Sequence, residues 1–215
     1  MARYTGPVCK LCRREGFKMF LKGERCFSAK CAFERRAFAP GEHGKANAGR
    51  GGGSDRMSDY ARQLRAKQQA RRTYGILERQ FRRYFSIAQK KRGMTGLNLI
   101  QTLELRVDNV VYRMGYGENR AQARQMVSHG HFTVNGIKVN VPSLLLRPGD
   151  MVAVTESSRQ KPLFKELVDL AEKRSCSLWL DRDLKNLSGR VIRIPERAEI
   201  DGNLNEQLIV EYYSR

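Results

Sequence analysis

Apolar residues recur at helical spacing through the middle of the chain. Ser58 can cap the segment DYARQLRAKQQARRTY, and Gly75 can take the left-handed conformation that ends a helix, so a cationic helix is predicted between them. Ile76, Leu77, Phe81, Tyr84, Phe85 and Ala88 predict a second helix with Arg79, Arg82, Arg83 and Lys90 on its outer face. Leu99, Ile100, Leu103, Val107, Val110, Val111 and Met114, closed by Gly115, predict one buried helix of about four or five turns. Asn119 can cap a shorter helix, RAQARQMVSH, which turns Ala123, Met126 and Val127 inward and stops at Gly130.

The period then changes from helical to alternating. Phe132, Val134, Ile137, Val139 and Val141 flank Asn135-Gly136 and predict a hairpin. A turn at Arg147 to Asp150 leads into the strand MVAV. After Pro162 a helix is predicted with Leu163, Leu167 and Leu170 on one side, and SLWLDRD, GRVIRIP and EQLIVEYYSR read as short strands with turns at Ser188-Gly189 and Asp201-Gly202. Residues 1–57 lack periodicity and are broken by PGEHG at 40–44 and GRGGGS at 49–54. These patterns predict an α+β fold in four parts: an arm at 1–45, a mostly helical domain at 46–98, a helix-helix-hairpin module at 99–165, and a C-terminal helix and strands at 166–215 that pack back on the helical domain.

Charge narrows the function. The chain has 41 Lys and Arg against 22 Asp and Glu, a net charge of +19, and 24 of those cations face only 7 acids within residues 1–96. Such an excess points to a polyanionic partner. Most solvated charge runs mix both signs, whereas residues 58–92 hold only Asp59 and Glu78 as acids. Arg62, Arg65, Arg71, Arg72, Arg79, Arg82 and Arg83 are therefore candidate phosphate contacts. No apolar run is long enough to span a bilayer and no signal-peptide core is visible, so no membrane partner and a cytoplasmic location are expected.

The cysteines offer chemistry of another kind. Cys9, Cys12, Cys26 and Cys31 stand at spacings suited to a closed tetrahedral zinc site, with an iron–sulfur cluster or four unligated thiols as alternatives. A reducing compartment disfavours disulfides, and Cys176 reads as a small buried residue. The intervening segment carries Arg13, Arg14, Lys18, Lys22 and Arg25 but also Gly16 and Gly23, and it has no recognition helix of the kind a DNA-reading finger uses. A metal clasp that orders basic residues is the better reading. His43 in its glycine-flanked loop is expected to face RNA or solvent. No Ser-His-Asp pattern or phosphate-cradling motif appears, the histidines being confined to positions 43, 129 and 131.

The stretches SDYARQLRAKQQARRTYGILERQFRRYF, LELRVDNVVYRMGYGENRAQARQMVSHGHFTVNGIKV and QLIVEYYSR together resemble the S-four family of bacterial small-subunit ribosomal proteins over essentially the whole chain. The resemblance implies a structural, non-enzymatic protein that binds 16S ribosomal RNA, nucleates assembly at a multi-helix junction of the 5′ domain, and supports translational accuracy beside ribosomal protein S-five and the messenger RNA entry channel. It implies a component of a mixed particle, not a homo-oligomer. It also implies zinc on the four N-terminal cysteines and an RNA contact from the PGEHG loop that holds His43; Lys45 and Arg50 are further candidate contacts of the basic arm. In the module the resemblance carries over Arg106, Asn109, Arg120, Gln122, Arg124, Gln125, His129, Gly130, His131, Asn135, Gly136 and Lys138. Two alternatives come from other classes. A pseudouridine synthase-like enzyme shares the module, and Leu105 to Asp108 resembles its catalytic motif, although only about 50 residues follow the module where a catalytic domain takes about 100–200. A zinc-containing nucleic-acid-binding regulator is the other.

Overall fold

The computed structural model describes residues 3–45, 57–172, 174–200 and 204–214. Arg50, the 49–54 glycine run and the Asp201-Gly202 turn lie outside them, as does the side chain of Leu170. In chain order the helices and strands are α1 (Cys9–Glu15), α2 (Ala32–Arg35), α3 (Asp59–Thr73), α4 (Glu78–Lys90), α5 (Thr95–Glu104), α6 (Val107–Arg113), α7 (Arg120–Ser128), β1 (Phe132–Val134), β2 (Ile137–Val139), β3 (Met151–Val154), α8 (Glu156–Arg159), α9 (Pro162–Glu172), β4 (Leu180–Asp183), β5 (Ser188–Val191) and α10 (Glu206–Tyr213). They divide into two compact units, Met1–Leu99 with Gly202–Arg215, and Ile100–Asp201.

In the first unit Ser58 Oγ accepts from the Ala61 amide at 3.3 Å, and Gly75 takes a φ of 64° just past the end of α3. Helix α4 buries Phe81, Tyr84, Phe85 and Ala88 and leaves Arg79, Arg82 and Arg83 exposed, as its apolar stripe requires. The segment expected to end the chain as a strand is helix α10 instead. Asn205 Oδ1 caps it by accepting from the Leu208 amide, and Ile209 and Tyr213, four apart, lie on one face. Tyr213 packs 4.6 Å from Phe85 and its hydroxyl donates to Glu78 Oε1 at 2.8 Å, while Gln63 Nε2 of α3 donates to Glu211 at 3.0 Å. A run of valine, isoleucine and tyrosine has strand propensity, but these contacts decide otherwise.

In the second unit the single long helix expected from Leu99 to Met114 is broken. Arg106 is extended, at φ −69° and ψ 138°, and forms a bridge with Leu145. The Val107 amide donates to Leu144 O and the Leu146 amide to Leu105 O, both at 2.9 Å. Apolar spacing continues through the break because both flanking helices bury the same side, so periodicity alone does not reveal it.

Asn119 caps α7 by accepting from the Gln122 amide. Asn135 and Gly136, at φ 50° and 81°, make the two-residue turn between β1 and β2. The described strands form one antiparallel sheet in the order β2-β1-β3-β5-β4. Residues 166–201 therefore belong with the module and complete its sheet; only the α10 end of the expected C-terminal part joins the helical unit. Ser188 and Gly189 lie within β5 and not in a turn, which instead falls at residues 184–187. Val110, Met114, Val127, Phe132, Val152, Phe164 and Trp179 form the core beneath the sheet. Phe164 enters that core, whereas Leu163 is 40% exposed.

Candidate nucleic-acid interface

The arm is organised by charge as well as by its cysteines. Glu15, whose side chain is 1% exposed, receives Arg65 at 3.2 Å and also Arg72, so these two of the four arginines of α3 are committed to holding α1. Burial pushes the Glu15 carboxyl above its ordinary range despite the attraction of Arg65 and Arg72. Arg13 donates to Phe38 O at 3.0 Å and lies over the Phe38 ring, and Lys18 pairs with Glu34. Arg14, Lys22, Arg25, His43 and Lys45 are exposed.

Cys12, Cys26 and Cys31 are buried and Cys9 is half-buried, all with free thiols. Burial pushes the Cys12 thiol up, a bond from the Met19 backbone opposes this, and Cys26, Cys9 and Cys31 push it further. The Lys22 amide donates to Cys26 Sγ at 3.4 Å. The donor set suits a tetrahedral thiolate site, although no group of three or more His, Cys, Asp or Glu side chains among the described residues is assembled as a metal cage.

The helical unit divides its arginines into two sets. Arg62 pairs with Asp59, and Arg71 bonds Gln68 and approaches Glu78. Arg79 and Arg83 are exposed with no ion pair among the described residues, and so are Lys90 and Arg92 beyond them. The apolar stripe already places Lys90 on the outer face of this helix, whereas Arg92 follows the stripe and belongs to no motif.

In the module the expected contacts also separate. Arg106 is fully buried and donates to Asp108 through Nε at 3.0 Å and Nη2 at 2.6 Å, and Arg124 Nη1 reaches the same carboxylate at 3.0 Å. Asn109 is buried and donates to Glu104 at 2.7 Å, with Arg113 closing on that carboxylate at 2.8 and 2.9 Å. Arg106, Asn109 and Arg124 are therefore positioning residues and not surface contacts: a buried guanidinium needs its carboxylate more than a distant phosphate can offer. Asp108, clasped in this way, is inaccessible to a substrate. Asn109 Oδ1 in turn accepts from Arg120 Nε at 2.8 Å, and the Arg120 guanidinium lies 4.5 Å over the Tyr112 ring, so the half-buried Arg120 is held in one orientation.

Gln122 is half-buried, its Oε1 accepting from the Glu118 amide at 2.7 Å. Asn135 closes the hairpin base, donating to Asp150 and accepting from the Met151 amide, each at 2.9 Å. Gln125, His129 and Lys138 are exposed. Gly130, at φ 71°, also makes room for Lys138, whose Cε would sit 2.7 Å from a Cβ placed there. His131 Nδ1 bonds Ser158 Oγ at 2.8 Å. Burial first, then Lys161, His129 and Lys138, hold the His131 imidazole below its ordinary value. Lys161 joins this cationic cluster from 30 residues along the chain, a proximity that no sequence spacing announces.

Residues 3–104 match the ribosomal protein S4/S9 N-terminal domain, and residues 105–152 match the S4 domain. The small ribosomal subunit protein uS4 of Heliobacterium modesticaldum is 56% identical over all 215 residues of both chains. The chain belongs to the uS4 family. Other uS4 relatives, from Desulforamulus reducens at 54% identity and Natranaerobius thermophilus at 56%, likewise align over the full length of both chains. Membership in this family of structural ribosomal proteins excludes the pseudouridine synthase-like reading, in agreement with the buried Asp108. No described helix is long and apolar enough to cross a membrane.

Proposed function

We propose that this uS4-family chain is a structural, non-enzymatic constituent of the small ribosomal subunit in the cytoplasm that binds 16S ribosomal RNA by shape and backbone. The observation that carries the reading is the outer face of α4, where Arg79, Arg82 and Arg83 are exposed and make no ion pair among the described residues, while Arg65, Arg71 and Arg72 of α3 have carboxylate partners. Exposed cations spread over several elements suit a folded RNA, whose deep major groove a single reading helix cannot use. In this reading the protein starts assembly at a multi-helix junction of the 5′ domain and lies beside ribosomal protein S5 and the messenger RNA entry channel, where it supports accuracy.

Cys9, Cys12, Cys26 and Cys31 would hold one zinc ion, which supplies folding free energy to the arm and no catalysis; the burial of Cys12, Cys26 and Cys31 and the N–H···S bond from Lys22 support this. Metal analysis of the purified protein separates zinc from an iron–sulfur cluster. Competition binding between 16S ribosomal RNA and duplex DNA at matched salt tests the function. RNA binding should be the tighter; equal affinities would favour the regulator instead.

A further inference from the structure

Between Cys12 and Cys31 the chain exposes a hydrophobic ring that its fold does not need. Phe27 is 72% exposed, among the highest values of any large apolar residue described. It is not a stray side chain. Its ring stacks on Phe20 with centroids 4.9 Å apart and planes 25° from parallel. Phe20 has a φ of 51°, a left-handed conformation that phenylalanine rarely adopts, and Lys18 Nζ lies 5.6 Å over its ring. The backbone is thus held in an unfavourable region while an aromatic pair stands at the surface.

The surroundings identify what covers it. Lys22, Arg25 and Lys30 lie within five residues of Phe27, all exposed and none in an ion pair among the described residues. With three cations and one acid, Glu24, exposed along this stretch, a nucleotide suits it better than an apolar protein surface does, since it can bring its base to the ring and its phosphate to a flanking cation. Bases in a duplex already stack on each other, so the site suits a base that is unpaired or splayed out. We propose that the exposed face of Phe27 is a stacking platform for an unpaired nucleobase of the RNA, supported from beneath by Phe20. This rests on the RNA-binding reading and adds to it the class of RNA feature that the arm selects.

The test uses the full-length protein and 16S ribosomal RNA. Removing a stacking ring should lower affinity by about ten- to a hundredfold. Phe27→Leu keeps much of the apolar bulk but removes the π face, so it should fall by that amount with an unchanged salt slope, while Phe27→Tyr should bind like wild type. In Phe27→Trp the new indole should be quenched by acrylamide in the free protein and shielded once RNA is added, against the buried background of Trp179. Wild-type affinity in Phe27→Leu would overturn the proposal, and so would an indole that stays accessible in the RNA complex, which would leave the ring to solvent or to a protein neighbour. Failure of the wild-type protein to bind RNA would overturn the functional reading itself.

Discussion

Replacing Asp108 by alanine should destabilise the sheet-bearing unit, through the charges it leaves behind. The carboxylate takes three donations, at 3.0, 2.6 and 3.0 Å, from Arg106 and Arg124, whose side chains are 1% and 9% exposed. Deleting one partner of a buried pair costs about 3–5 kcal/mol, because the opposite charge stays buried without it. A domain has only about 5–15 kcal/mol of stability in total, so the loss is a large part of it. With a urea slope of about 1–2 kcal/mol per molar, the unfolding midpoint should fall by about 1.5–5 M. Trp179 emission reads this unit directly, since the indole shares its core with Val110, Val127 and Phe132. Arg106→Met together with Asp108→Ala should recover part of the loss, because one of the two stranded cations is then gone. A midpoint shift under about 0.5 M for Asp108→Ala would refute the argument.

Four further outcomes are expected. Burial alone would raise the Glu78 carboxyl, but hydrogen bonds from Lys67 and Tyr213 and the charges of Lys67 and Arg71 outweigh it and hold the group below its ordinary 4.5. Its contribution is complete above that value and is lost as pH falls through the lower folded one, so the protection of α10 amides, relative to their intrinsic exchange rate at each pH, should fall there, and Glu78→Gln should abolish that change. Chelation should raise exchange in residues 9–35 and leave Trp179 emission unchanged; disappearance of that emission signal would contradict a metal role confined to the arm. The affinity for RNA should fall with salt, and Arg79→Gln with Arg83→Gln should flatten the log–log slope by roughly 0.7–0.9 for each phosphate that is no longer neutralised. Gly189→Ala should destabilise by about 1–3 kcal/mol in thermal or urea unfolding, since its Cβ would meet Asp181 O at 2.7 Å and Met114 Cε at 2.8 Å.

Where local chemistry decides a feature, the sequence was enough to read it. Ser58 and Asn119 cap helices because a short side chain brings its oxygen to the third amide ahead, and Asn135-Gly136 turns because both residues tolerate positive φ. The outward arginines of α4 follow from the same periodicity that buries Phe81 and Phe85. The family resemblance rests on long ordered stretches of this kind, and the matches over residues 3–152 agree with it.

The candidate site was only partly legible, for a different reason. An arginine in a basic helix has one spelling whether it faces phosphate or a carboxylate far along the chain. Arg65 and Arg72 turn to Glu15 of the arm, and Arg106 and Arg124 turn inward to Asp108. The clustering of Lys161 with His129, His131 and Lys138 is hidden in the sequence for the same reason.

The sequence by itself therefore determined the helices of the basic half, the hairpin, the cysteine spacing and the polyanion-binding character, all properties that depend on near neighbours or on summed charge. Tertiary structure alone decided the break at Arg106, the helical end at Glu206–Tyr213, the enlistment of β4 and β5 into the module's sheet, and which cations remain for RNA. These depend on desolvation and pairing between residues distant in the chain, where a buried carboxylate at hydrogen-bond distance outweighs any local preference.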